Sequence, residues 1–170
     1  VMLYDVELKQ ITRMGEYLYE LSDLLKLVVD DGASIGFLPP LDFSEAKKYW
    51  LCVLAQNVIL IAAKINQRIV GSVQLHLCTK ENGNHRAEIA KLMTHPDYRS
   101  KGIGKSLVQM AENRAIHEGR SLIVLDTREG DPSNNLYTSL GYIRVGRIPD
   151  YAKSENGNLD ATVLYYKKLS

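Results

Sequence analysis

The residues best suited to chemistry lie in one run, Thr94-His95-Pro96-Asp97-Tyr98-Arg99-Ser100-Lys101-Gly102-Ile103-Gly104-Lys105-Ser106. It joins a strand-like segment to a helix-like one and places two glycines and three cations at the junction. Glycines let successive backbone N–H groups turn toward one anion, and a helix start adds partial positive charge. Arg99, Lys101 and Lys105 supply full charges. The chemistry implied is the binding of a phosphate.

Two common phosphate motifs fit poorly. A dinucleotide fingerprint needs a glycine at 107, where Leu107 stands, and a P-loop needs one at 99, where Arg99 stands. Gly104-Lys105-Ser106 matches the end of the P-loop motif, so a P-loop nucleotide enzyme stays in view as an alternative. The pattern [RQ]xxGx[GA] fits without exception, as Arg99-xx-Gly102-x-Gly104. It resembles the acetyl-CoA pyrophosphate loop of the GNAT acetyltransferase superfamily. The resemblance implies acetyl-CoA as co-substrate, held at Arg99, Ser100, Lys101, Gly102, Ile103, Gly104, Lys105 and Ser106. It also implies a bulged, splayed strand at Arg86–Thr94, where the pantetheine arm pairs with Met93 and Thr94 like an added strand. A backbone N–H of Leu92–Thr94 would meet the oxyanion.

A second block, Asn134-Asn135-Leu136-Tyr137-Thr138-Ser139-Leu140-Gly141-Tyr142, resembles the family's Y-x-x-L-G-[FY] segment. Amine attack on a thioester expels a thiolate whose parent thiol has a pKa of about 8.5, taking cysteine as a guide. Tyr137 is the phenol that could return a proton to it. The family's usual asparagine, seven residues before this tyrosine, is replaced by Gly130, which leaves Asn134 as the candidate cofactor contact. Glu88, eleven residues before Arg99, resembles the strand glutamate used as base by histone-modifying members. It could equally be a surface acid paired with Arg86 or Lys91. Asp126 ends a buried apolar run and is placed either to bind a substrate ammonium or to cap the next turn.

The elements that must position these residues follow from periodicity. Leu3–Leu8 alternates weakly, as an edge strand would. Apolar residues at three and four from Met14 to Val29 predict an amphipathic helix, and Gly32 to Asp42 reads as an ordered loop. A second helix, capped by Asp42 or Ser44, runs to about Ala55. Strands follow at Val58–Lys64, Ile69–Cys78 and Arg86–Thr94, then a helix from about Gly102 to Glu118. Ser121–Asp126 has the continuous apolar run of a strand buried on both faces. Asp131-Pro132 opens a short helix, and strands at Tyr142–Ile148 and Thr162–Lys168 flank a polar loop, Tyr151–Asp160. This order is that of a single α/β domain over residues 1–170, a mixed sheet of about seven strands with four helices, as in the GNAT fold.

Composition narrows the rest. With 21 Lys+Arg against 20 Asp+Glu the formal charge is +1, so nothing in it favours nucleic acid or an anionic membrane. Cys52 and Cys78 are far apart, and the four histidines have no ligand or triad spacing; no metal is expected. Apolar stretches fall well short of a membrane helix, and two free thiols suit a cytoplasmic protein, monomer or homodimer. Several stretches, Gly32–Phe37, Arg86–Glu88, Lys91–Met93, Leu125–Thr127 and Arg144–Gly146, resemble the tabtoxin-resistance acetyltransferase branch. That resemblance implies N-acetylation of a small amine such as an antibiotic, toxin or amino-acid-like metabolite. Ser34, Phe37, Arg86 and Asp126 would then line the acceptor pocket, bordered by the two loops. A protein or peptide acceptor is the alternative.

Overall fold

A computed structural model describes residues 5–169. Its sheet has seven strands in the order β1-β2-β3-β4-β5-β7-β6. They are β1 (Glu7–Ile11), β2 (Val58–Ile65), β3 (Arg68–Leu77), β4 (Arg86–Thr94), β5 (Leu122–Arg128), β6 (Ile143–Lys153) and β7 (Leu159–Lys168). Four helices join them: α1 (Leu18–Asp30), α2 (Phe43–Leu51), α3 (Ile103–His117) and α4 (Ser133–Ser139). The β4–β5 pair is parallel and every other pair is antiparallel. The mixed α/β sheet and its four helices are those expected.

Each face of the sheet carries its own core. One holds Leu107, Val108, Ala111 and Ala115 of α3 against Ile61, Val73, Ile89 and Ile123. The other holds Leu21, Leu24, Leu25 and Val28 of α1 and Trp50 of α2 against Leu60, Ala62, Ile69 and Met93. Close packing of α3 needs a residue without a side chain at Gly71 on β3. A Cβ there would stand 3.0 Å from the Met93 carbonyl oxygen and 3.1 Å from both Ile103 and Leu107.

The decisive irregularity lies in the middle of the sheet. β4 and β5 pair at only three positions, Arg86↔Leu122, Ala87↔Ile123 and Glu88↔Val124, and then part. Beyond that point β4 is bulged: Ser72 faces Met93 and Gln74 faces Ala90, so Lys91 and Leu92 together oppose Val73. Lys91 absorbs the extra residue at φ 54°.

Some expectations need correction. The first strand is Glu7–Ile11, set by its ladder with β2 rather than by the weak alternation of Leu3–Leu8. Residues 3 and 4 of that expectation lie outside the described residues. The second helix stops at Leu51 instead of Ala55, with Cys52 closing it. Asp42 takes the N-cap position but makes no side-chain capping bond. β5 is not buried on both faces: Ile123 and Leu125 are buried, whereas Leu122 and Val124 are half-buried, because the parting strands leave that side open. Most of the polar loop Tyr151–Asp160 is instead the tip of a long β6–β7 hairpin, its alternation hidden because β6 is exposed along most of its length.

Candidate active site

The glycine loop meets α3 as the sequence required. Gly102 is the N-cap at φ 80°, a left-handed conformation that suits glycine. The N–H groups of Ile103, Gly104 and Lys105 precede the first intrahelical bond, which the Ser106 N–H makes to the Gly102 carbonyl at 3.0 Å. They open on a cavity of about 550 Å³ between the parted strands. Its wall includes Leu92, Met93 and Thr94 from β4, Arg99, Ser100, Gly102, Ile103, Gly104 and Lys105 from the loop, and Tyr137 from α4. Ser34 joins them from the loop after α1. Sites far apart in sequence therefore converge on one cleft.

Three expected cofactor contacts lie elsewhere. Lys101 and Ser106 are not on the cavity wall, and the Ser106 hydroxyl donates back to the Gly102 carbonyl at 3.0 Å. Asn134 is turned inward. Its amide donates to the carbonyls of Arg128 and Asp131, both at 2.9 Å, and its Oδ1 accepts from the Tyr165 hydroxyl at 2.8 Å. It positions α4 against β5 and β7.

Tyr137 is 4% exposed, with Tyr142 edge-on at 5.5 Å between ring centres. Burial, reinforced by the charge of Asp126, pushes its phenol above the ordinary range, so the hydroxyl stays protonated. Glu88 reaches solvent, yet protein crowds its carboxyl. Burial and then the charge of Asp126 raise its pKa, against the opposing pull of Lys91. Asp126 accepts a hydrogen bond from the Thr162 hydroxyl at 2.6 Å.

Glu88 and Arg86 line a second cavity, of about 290 Å³, together with His76, Cys78 and Val124. His76 is the cross-strand neighbour of Glu88, and its ring Nε2 lies 2.9 Å from Gln74 Oε1. Phe37 is on the wall of neither cavity; it stacks edge-on against Tyr49 with ring centres 5.2 Å apart.

Three residues of the site escaped the sequence reading. Lys91 donates to the Ile35 carbonyl at 2.7 Å and lies 5.8 Å from the Phe37 ring centre. Burial lowers its pKa, while Asp126 and Glu88 both hold its charge. Both carboxylates thus act on the Lys91 charge from a distance, while its Nζ bonds to the Ile35 carbonyl. Arg128, on the wall of the larger cavity, donates to Asp131 Oδ1 and to the Gly32 carbonyl, each at 3.0 Å. Asp31, on the same wall, accepts from Arg99 Nη1 at 2.7 Å. Only the bulge and the loop path bring these groups inward; the family resemblance implies the bulge, but no periodicity marks which residue it turns. Among the described residues, no group of three or more His, Cys, Asp or Glu could hold a metal ion, and no helix is long and apolar enough to cross a membrane.

The family model for acetyltransferases (GNAT) matches residues 23–142, which includes the glycine loop, the bulged strand and Tyr137. The chain belongs to the GNAT family. Two curated relatives agree with this membership. An acetyltransferase of Pectobacterium atrosepticum is 33% identical over 91 residues, 53% of this chain and 61% of that protein. N-alpha-acetyltransferase 30 of Saccharomyces cerevisiae is 31% identical over 87 residues, 51% of this chain and 49% of that protein. The match thus spans one half to three fifths of those relatives' length. Among solved structures, an aminoglycoside 6'-N-acetyltransferase complexed with coenzyme A superposes with a TM-score of 0.75 at 20% identity, over 95% of this chain and 96% of that one. That likeness places the GNAT fold across nearly the whole chain.

Proposed function

We propose that residues 1–170 act as one acetyltransferase domain that moves the acetyl group of acetyl-CoA to a primary amine of a small molecule, by direct attack in a ternary complex. One observation carries this reading: β4 and β5 part just past Glu88, and the cleft so opened runs from the α3 N-terminus to Tyr137. The chemistry of its wall suits a CoA thioester. Arg99, Lys105 and the first amides of α3 match a pyrophosphate, and the exposed β4 edge at Leu92–Thr94 matches an amide-bearing arm.

Acetyl-CoA supplies an activated acyl carbon and a thiolate leaving group. A backbone N–H of Leu92–Thr94 would hold the developing oxyanion. Glu88, with its raised pKa, takes the proton of the attacking amine, directly or through water. Tyr137 holds its proton tightly, so it serves as a hydrogen-bond donor to the departing sulfur. Asp126 contributes negative charge that draws an ammonium toward the cleft.

The small acceptor is supported by the segment after α1, whose Gly32, Ala33, Ser34 and Ile35 cover the cleft, and by the resemblance to the tabtoxin-resistance branch. A cytoplasmic monomer or homodimer fits the same reading. One relative is named as an N-alpha-acetyltransferase, which keeps a protein N-terminus as the second acceptor class. The test is release of CoA thiol from acetyl-CoA with a panel of small amines and, in parallel, N-terminal and lysine peptides. Turnover of a small amine supports the reading, and turnover of peptides alone overturns its acceptor. Thermal stabilisation by ATP but not by acetyl-CoA would overturn the cofactor.

A further inference from the structure

Resting on the assignment of the loop at Arg99 to the cofactor's pyrophosphate, we infer that Asp31 is a resident anion of that site, a built-in competitor that the pyrophosphate must displace. The ion pair Arg99–Asp31, 2.7 Å long, joins two residues 68 apart in sequence. Both line the cofactor cavity, and both side chains are close to half exposed, 49% and 46%, so the pair is open to exchange with a ligand anion.

The position of Asp31 argues for a role other than folding. It is the C-cap of α1, and the last turn of that helix carries no basic residue. A carboxylate there meets the negative end of the helix dipole, which is locally unfavourable. Breaking a local rule at a cavity wall, with compensation from a cation of another element, is a mark of function. The pattern is repeated next to it: Asp131 on the same wall neutralises Arg128, which also holds the Gly32 carbonyl. Of the cations on this wall, Arg99 and Arg128 are therefore each covered by an acid of the chain itself.

The consequence is selective. A ligand gains the Arg99 contact only by replacing its carboxylate, which a diphosphate does and a neutral thioester does not. Displacement also releases one tie of the segment Gly32–Leu41. Its other side-chain ties, Arg128 to Gly32, Lys91 to Ile35, and Asp30 and Lys26 to Leu41, do not involve Arg99.

The experiment is calorimetric titration with CoA at low salt, using the wild type, Asp31→Asn, Arg99→Ala and the double variant. Exposed ion pairs set the scale, so Asp31→Asn should bind CoA about threefold to fivefold tighter. Arg99→Ala should weaken binding about tenfold. In the Arg99→Ala background the gain from asparagine should vanish. A gain that persists there means long-range repulsion and overturns the competitor; so does unchanged or weaker binding by Asp31→Asn when Arg99→Ala is impaired. If the wild type fails to bind CoA, or Arg99→Ala binds it normally, the phosphate-loop assignment itself falls. Thermal melts complete the test, since Asp31→Asn should keep Tm within about 2 °C of the wild type. A larger drop with no gain in affinity makes the pair a structural tie and overturns the inference.

Discussion

Glu88 and Val124 form the last rung of the β4–β5 ladder, and the separation of the strands begins immediately beyond them. The carboxylate lines the second cavity where the strands begin to part, and the glycine loop lines the larger cleft beyond. Four outcomes follow from the groups between these points.

Glu88→Gln should lower kcat with the best amine of the panel by about 10²-fold or more, with the largest relative loss just above the raised Glu88 pKa, where the carboxylate is ionised and most of the amine is protonated. Stability gives an independent sign. Folding raises the Glu88 pKa, so the acid favours the folded state below its ordinary value of 4.5 and opposes it once pH passes the raised value. Thermal melts should find Glu88→Gln more stable than the wild type at pH 7 and no more stable at pH 4.

Gly102→Val should abolish acetyl-CoA binding. The residue sits at φ 80° and starts the helix whose amides face the cavity, so a β-branched side chain both strains the turn and fills phosphate space. Calorimetry on a variant shown to be folded by circular dichroism is the check; wild-type affinity would sink the pyrophosphate assignment.

Tyr137→Phe removes only the hydroxyl and keeps the ring packing on Tyr142 and Tyr165. Turnover should fall about tenfold or more, while acetyl-CoA affinity changes less than about twofold. Equal loss in both quantities would assign the hydroxyl to cofactor binding.

Asp126→Asn should raise KM for the amine and leave acetyl-CoA binding intact. Thr162 can still donate to the asparagine carbonyl oxygen, so the fold is preserved. Because Lys91 already shares the charge of Asp126, the rise should be modest, about threefold to tenfold on the scale of a partly screened ion pair. Steady-state kinetics in acceptor concentration decide it; an unchanged KM would free Asp126 from any part in acceptor binding.

The bounds of β4, Arg86–Thr94, could be read from the sequence because Asn82-Gly83 and Pro96 bracket the run. The glycine loop was equally plain, since its chemistry is carried by consecutive residues. What stayed hidden depends on long-range geometry. The bulge that turns Lys91 inward leaves no composition signal, so in the sequence Lys91 reads only as a surface partner for Glu88. Asn134 looked available because spacing shows the helix face and not its neighbours, Tyr165 and the Arg128 carbonyl. The β6–β7 tip reads as a loop in the sequence because exposure along the strand removes the alternation that marks a half-buried one.

Gly71 acts as the fulcrum on which the phosphate-facing end of α3 rests. It is not itself on the cleft wall, yet any added side chain there would press on the Met93 carbonyl, on Ile103, the first residue of that helix, and on Leu107 one turn later. Hydrogen bonds to an anion tolerate only a few tenths of an ångström. A methyl group on a neighbouring strand would therefore detune cofactor affinity by shifting wall residues that it does not replace. Substitutions at this buried position would read in a binding assay as active-site lesions, although their origin is the tilt of a helix.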